Sequence, residues 1–461
     1  MTAIRVAFGA HPSFNRTVAG EKETGGEQVA SPANHRRSII MALLCLLITL
    51  PTYLLFERFQ PLADAEAYLV DYRLRTGRLT STNPDLIYLS VDQISYESDF
   101  PIEPPVEGTA EELRMIDILR GTFPWTREVF GHVADKLINA GAKGVILDFI
   151  FSAEKENDEK LKAVLDRHNP KIVIGAMIEE SDAMMGFALP SPTLIEPDEF
   201  GDSLGDPRVG FVNVSSDSDG VVRRGLYADG MYSLMRDYLT SQEVTDGGPP
   251  IYTLAARGMM LLGYSNSIPF GPDRPLFRYT GPGGSFNTIS LKQIVDPRKW
   301  QTQLGGGEAL RDKLIIIGPG ASVFPDEQAT PFGRFGPKMD GAELHLNLIN
   351  AGIQKELIAE TDSPTNRAIV LATGAVLLLL TLGVSRPLIR FGTGLLITGA
   401  YLISAMWFYD QQNLMIQVLA TPPLLLNAGV FLTVLLDIDL KPKEVVPIPA
   451  PDSKQESIQG L

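Results

Sequence analysis

The sequence predicts an α/β domain, built mainly on a parallel sheet with an antiparallel hairpin addition, set between four transmembrane helices. Three observations carry that prediction. Four long uncharged apolar runs occur, one early and three grouped late. Between them, short continuous apolar runs alternate with helical patterns, which suits parallel strands covered on both faces. One Asp-Gly turn signal between apolar segments marks the hairpin. Hydrophobic residues make up 44% of the chain, the globular average, so their distribution and not their amount points to a membrane.

Residues 1–37 are polar and end in Arg36-Arg37. Residues 38–56, SIIMALLCLLITLPTYLLF, carry no charge and are long enough to cross a hydrocarbon core of ~30 Å. The run lies behind a long polar stretch, and charged Glu57 and Arg58 separate it from the small-x-small ADA at Ala63–Ala65. A retained anchor is therefore expected in place of a cleaved leader. The Arg36-Arg37 pair before Ser38 has the form of a twin-arginine signal, but the run is very apolar for one. The later spans are read at 368–384, 391–409 and 414–436, and Pro422-Pro423 should kink the last, as a static bend or as a two-state element.

Arg36, Arg37, Arg386, Arg390, Lys441 and Lys443 all fall in flanking loops expected on one side, while the loop at 410–413 has no positive charge. Positive residues are retained in the cytoplasm, so both termini are expected there, with residues 57–365 extracytoplasmic on the plasma (inner) membrane. Residues 437–461 are polar and proline-interrupted and should form a disordered tail. The lone cysteine, Cys45, lies in the first span, so the exported domain must be held by its core and not by disulfides. A net charge of −15 without a basic stripe excludes nucleic acid as a partner.

Within the domain, Leu62, Ala65, Leu69 and Tyr72 fall at helical spacing, so the first span is expected to continue outward as an amphipathic stalk. Its apolar face would pair with a second copy or pack on its own domain. Strands are expected at 86–92, 144–151, 172–177 and 314–318. A helix over 127–140 presents Val129, Phe130, Val133, Ala134, Leu137 and Ile138 on one face and stops at Gly141. VGFVNV and VVRRGLY flank SSDSDG as a hairpin.

Asp92 and Asp148 close apolar strand runs, where an open α/β sheet binds ligands beyond its carboxyl ends. They bind a cation or the polar end of a solute, or they cap turns; capping is slightly preferred. SDSDG has a calcium-loop start but places Leu226 where the bidentate Glu belongs, so it is a turn. The glycine-rich GPGGS, GGG and GPGAS lack phosphate-loop spacing, and the five histidines lack zinc spacing. His345 lies in a helix where a packed or surface histidine is the plainer reading. No Ser elbow or other catalytic constellation stands out, so no enzyme activity, cofactor or metal is expected, and binding is the expected role.

The run LADAEAYLVDYRLR, FPWTREVFGHVADKLINAGAKGVILDFIFS, GFVNVSSDSDGVVRR, LRDKLIIIGPGASVFPDEQATPFG and MDGAELHLNLINAGI resembles the second type of CHASE domain. That extracellular sensory domain occurs on bacterial adenylate cyclases, histidine kinases, diguanylate cyclases and serine/threonine kinases. The resemblance covers roughly 57–357, and three following spans are also typical. It marks Asp71, Arg73 and Arg75; Trp125 and Arg127; Asp148 and Phe151; Asn213, Asp219, Gly220, Arg223 and Arg224; Asp326, Thr330 and Pro331; and Glu343 with His345. Thr126 stands where such sequences often have proline. Most of these serve the fold on this reading, with Asp219-Gly220 for the turn, Trp125 for packing and Asp71 with Arg73 for pairing. The ligand-binding candidates are Asp92, Asp148, Trp125, Arg127, Asn213, Arg223, Asp326 and His345.

The resemblance implies no particular ligand, and a cyclase or kinase module is not found after the last span. The expected role is therefore a membrane-bound sensor subunit working through a separate cytoplasmic effector, with the bilayer and a second copy as further partners. An envelope docking or assembly role, and a receptor without its catalytic half, are the alternatives.

Overall fold

The four continuous apolar runs become the middle of a seven-stranded sheet. In the computed structural model, which describes residues 32–55, 58–96, 108–180, 185–199, 201–234, 248–324, 326–333 and 338–440, its strands are β1 (Leu86–Val91), β2 (Gly144–Ile150), β3 (Ile172–Glu180), β4 (Met185–Ala188), β5 (Val209–Phe211), β6 (Asn287–Ser290) and β7 (Leu314–Pro319). The order is β6-β1-β7-β2-β3, all parallel; β3 pairs further with β5 in parallel and with β4 antiparallel. β6 escapes a sequence reading because Asn287 and Thr288 are exposed on a short edge strand, leaving no apolar run. The polar residues 1–31 and the tail from 441 lie outside the described residues.

Helices α1 (Pro32–Leu55) and α2 (Gln60–Thr76) precede the sheet. On one face lie α3 (Ala110–Leu119), α4 (Glu128–Asn139) and α5 (Asp158–Arg167); on the other, α6 (Leu254–Leu261) and α7 (Gly341–Ile353). All six residues of the predicted α4 face are buried, and Gly141 stops the chain there at φ 98°. Alternation along β2 sends Val145 and Leu147 into the α4 side and Ile146 into the α7 side. Asp148 follows Ile146 toward α7.

The hairpin turn is where the Asp-Gly signal places it, with Gly220 at φ 77° and its amide donating to the Asp217 carbonyl. Its arms are shorter than expected, Ser215–Ser216 against Val222–Arg224, because 209–211 is β5 of the central sheet. From this hairpin a second sheet runs through Leu276–Phe277 and Leu357–Glu360 to Leu414–Met415.

That last strand moves the start of the expected fourth span. Helices α8 (Ser363–Gly383), α9 (Pro387–Gln412) and α10 (Asn427–Leu440) follow the domain, and among the described residues three helices are long and apolar enough to cross a membrane: Arg36–Leu55, Ser363–Gly383 and Pro387–Gln412. Residues 414–436 are not one helix. Leu414 and Met415 pair in parallel with Ala359 and Glu360, and helical structure starts only with a π-helical turn at Pro422–Leu426. The helical structure that starts at Pro422 continues through α10 to Leu440, about 28 Å at 1.5 Å per residue, with its apolar part ending at Leu436. Two adjacent prolines lack N–H donors and disfavour a helical residue before them, so a helix can begin there but not run through.

The stalk is also corrected. α2 is a separate helix, entered through an extended Phe59 and Pro61. Of the expected apolar face, Ala65 and Tyr72 are exposed and Leu62 and Leu69 half-buried, and the fully buried positions are Asp71, Arg73 and Leu74. Charge pairing with the second sheet, described below, outweighs the weak apolar stripe.

Candidate ligand site and its connection to the helices

Parallel strands present their carboxyl ends at one edge, and three candidate residues from distant parts of the chain meet there. Asp148 comes from β2, Asp326 from the loop after β7, and His345 from the second turn of α7. Gly318 of β7 lets α7 close on the strand, since a Cβ there would stand 2.5 Å from Ala342 Cβ and 3.6 Å from Asp148 Oδ2. Gly341 does the same for Asp326, whose two carboxylate oxygens lie 2.7 Å from where a Cβ would be. The Gly341 amide donates to the Asp326 carbonyl at 2.9 Å.

The electrostatics follow from burial. Asp148 is 8% exposed, and burial alone pushes its carboxyl up to about 7. Asp326, half-buried, is raised to about 6, first by burial and then by the neighbouring Asp148 charge, with His345 opposing. Asp340 is raised by burial, and its Oδ2 stands 3.0 Å from the Tyr88 hydroxyl, which donates to the Pro319 carbonyl at 2.6 Å. His345 is 2% exposed and drawn down to about 4 by burial, so its ring is neutral at physiological pH. The ring hydrogen-bonds the Val212 carbonyl, and Nδ1 has no partner. Among the described residues no group of three His, Cys, Asp or Glu side chains is arranged to hold a metal ion.

The other candidates are elsewhere. Asp92 caps the short helix Gln93–Tyr96, accepting from the Ser95 amide and hydroxyl and from Ser290. Trp125 packs edge-to-face on Phe123 across the sheet from Asp148, and Arg127 binds Asp158 and the Ala153 carbonyl over the Phe151 ring. Asn213 pairs through both amide atoms with the Ile178 backbone. Glu343 faces away from the cluster and accepts from the Gly284 and Ser285 amides, which ties the GPGGS turn to α7.

Arg223 belongs to a second assembly, at the foot of the domain. It is 1% exposed and held by Asp71 of α2 and by Asp217 and Asp219 of the hairpin. Two residues beyond Asp71, Arg73 donates to Glu66 and to the Ile416 carbonyl at 2.6 Å. Glu66 in turn accepts from the amides of Val418 (3.0 Å) and Leu419 (2.6 Å). The irregular segment before Pro422 thus has its backbone groups met by the stalk. On its other side Tyr401 of α9 donates to the Gln417 carbonyl, and Asn427 to the Pro423 carbonyl. Arg278, fully buried, joins Glu356 to the Tyr409 carbonyl and Asn413 at the end of α9.

Sequence reasoning missed Tyr88, Asp340 and Glu66. Tyr88 sits inside an apolar run, and Glu66 stands one turn from Leu62 and Leu69, at the border of the apolar stripe, with nothing in its residue type to mark a partner. Only Asp340, directly before α7, carried a signal as a helix-capping type.

A family model described as CHASE2 domain matches residues 40–385. No curated protein and no solved structure matches the chain.

Proposed function

The chain belongs to the CHASE2 sensory-domain family, and from that premise we propose that it is a membrane-bound sensor whose α/β domain takes up a stimulus outside the cytoplasm at the Asp148–Asp326–His345 cluster. The change passes through the Glu66–Arg73 clamp and the strand at 414–415 to α9 and α10, and from these helices to an effector on the cytoplasmic side. The observation that carries this reading is the main-chain junction: Leu414 and Met415 are a strand of the domain and, seven residues later, Pro422 begins the last apolar helix. A shift of the second sheet therefore moves the start of that helix directly.

The distribution of charge supports the orientation. Arg36, Arg386 and Arg390 lie at helix ends remote from the domain, whereas the α9 end that touches it has Asp410 and Asn413. The coupling is tested by spin labels at Leu382 and Leu435, both on exposed faces of α8 and α10, in a Cys45→Ser background in nanodiscs. Glu66→Ala removes the acceptor for Val418 and Leu419 and should shift or broaden the label distance. An unchanged distribution would remove the junction from the signalling path.

A further inference from the structure

The carboxyl-edge cluster is rich in acceptors and short of donors. No hydrogen bond or positive charge from the described residues bears on Asp148; burial is the sole influence on it. His345 Nδ1 is a buried lone pair without a donor. Asp326 receives help from Gln328 and His345, but its remaining ionisable neighbours, Asp148 and Asp340, are acids. The Tyr88 hydroxyl is committed to the Pro319 carbonyl. Buried acids elsewhere in the domain are treated differently: Asp71 is paired with Arg223, Asp158 with Arg127, and Glu343 takes backbone amides. Buried acceptors left without donors are costly, so their collection in one place, open toward half-buried Asp326 and Asp340, calls for a ligand that brings donors.

Resting on the reading of this cluster as the stimulus site, we propose that the ligand carries a primary ammonium group, whose three N–H donors go to the Asp148 carboxylate, the Asp326 carboxylate and His345 Nδ1. An ammonium has three donors and no acceptor, one donor for each of the three groups, and its positive charge offsets part of the charge on the two carboxylates. Binding draws both acids into their ionised form and releases protons, so affinity rises with pH through the range in which Asp148 titrates. With Asp148 near 7 and Asp326 near 6, apparent affinity should be about twentyfold stronger at pH 8 than at pH 6.

The test uses the full chain in nanodiscs, with thermal unfolding followed against methylammonium, putrescine and tyramine at constant ionic strength. Tetramethylammonium serves as a cation without N–H. A saturable rise with the primary amines, absent with tetramethylammonium and abolished in Asp148→Asn, is expected. His345→Phe should weaken amine binding several-fold while keeping its pH dependence. Equal stabilisation by tetramethylammonium, or no saturable effect from any of the three amines, overturns the ligand class. If Asp148→Asn shifts the Leu382–Leu435 distance while no amine binds, the sensor reading stands and the ammonium is discarded. If amines bind and that distance never responds, the site stands and the sensor reading falls.

Discussion

Asp148→Asn should make the protein more tolerant of rising pH. Asp148 ionises near 3.8 when exposed and near 7 in the fold, because burial penalises the carboxylate. Between those values the folded chain holds a proton that the unfolded chain has released, so stability falls as pH rises from about 4 to about 7 and is level above that. Three units at 1.36 kcal/mol each give a loss on the order of 4 kcal/mol at pH 8 relative to pH 4. The asparagine variant lacks this titration but keeps the shape of the neutral acid. Its stability relative to wild type should therefore improve by about that amount across the interval. His345, whose folded pKa is lowered, contributes the opposite slope, but it is common to both proteins and cancels in the difference to first order. The assay is denaturant unfolding of the detergent-solubilised full chain at pH 4, 6 and 8, followed by circular dichroism. A difference that stays flat with pH, or grows in favour of wild type, would mean that the carboxylate is solvated or paired, and both the site's electrostatics and the ligand argument would fail.

Three further outcomes follow from the contacts. Asp71→Ala leaves Arg223 buried with two of its three carboxylates and should cost about 3 kcal/mol of domain stability, read as a lower denaturation midpoint; an effect under about 0.5 kcal/mol would mean that the stalk is not docked as described. Gly341→Ala must push Asp326 from its place over α7, so a loss of about 1–3 kcal/mol is expected together with a changed pH dependence of unfolding; retention of the wild-type pH profile would count against Asp326 as a member of the cluster. Gly374→Leu should separate α1 from α8, because its Cβ would stand 2.4 Å from Thr49 Cγ2, whereas Gly383→Leu meets nothing within 4 Å. Equal thermal midpoints for the two variants would refute that crossing.

Much of the scaffold is local and was therefore legible. The strands β1, β2, β3 and β7 announce themselves because burial on both faces demands continuous apolar residues. α4 is visible because its inward face repeats with the helical period, and the hairpin because a left-handed glycine follows an aspartate. The site was legible as residue types but not as a site: Asp148, Asp326 and His345 stood among eight candidates, and nothing in their spacing sets them apart from Asp92 or Asn213.

By itself, the sequence determined the α/β class, the three long apolar helices, the hairpin turn and the family, since each depends on periodicity, length or turn chemistry within one segment. Tertiary structure decided which carboxylates are left unpaired, which face of the stalk is buried and where the last helix begins. Arg223 and the Val418 and Leu419 amides draw a charged face of α2 inward against its apolar spacing. The edge of Leu357–Glu360 captures Leu414–Met415 from what reads as a membrane span. The reason is the same in each case: the free energy of a buried charge or an open strand edge is set by the partner brought to it, and that partner lies far away in the chain.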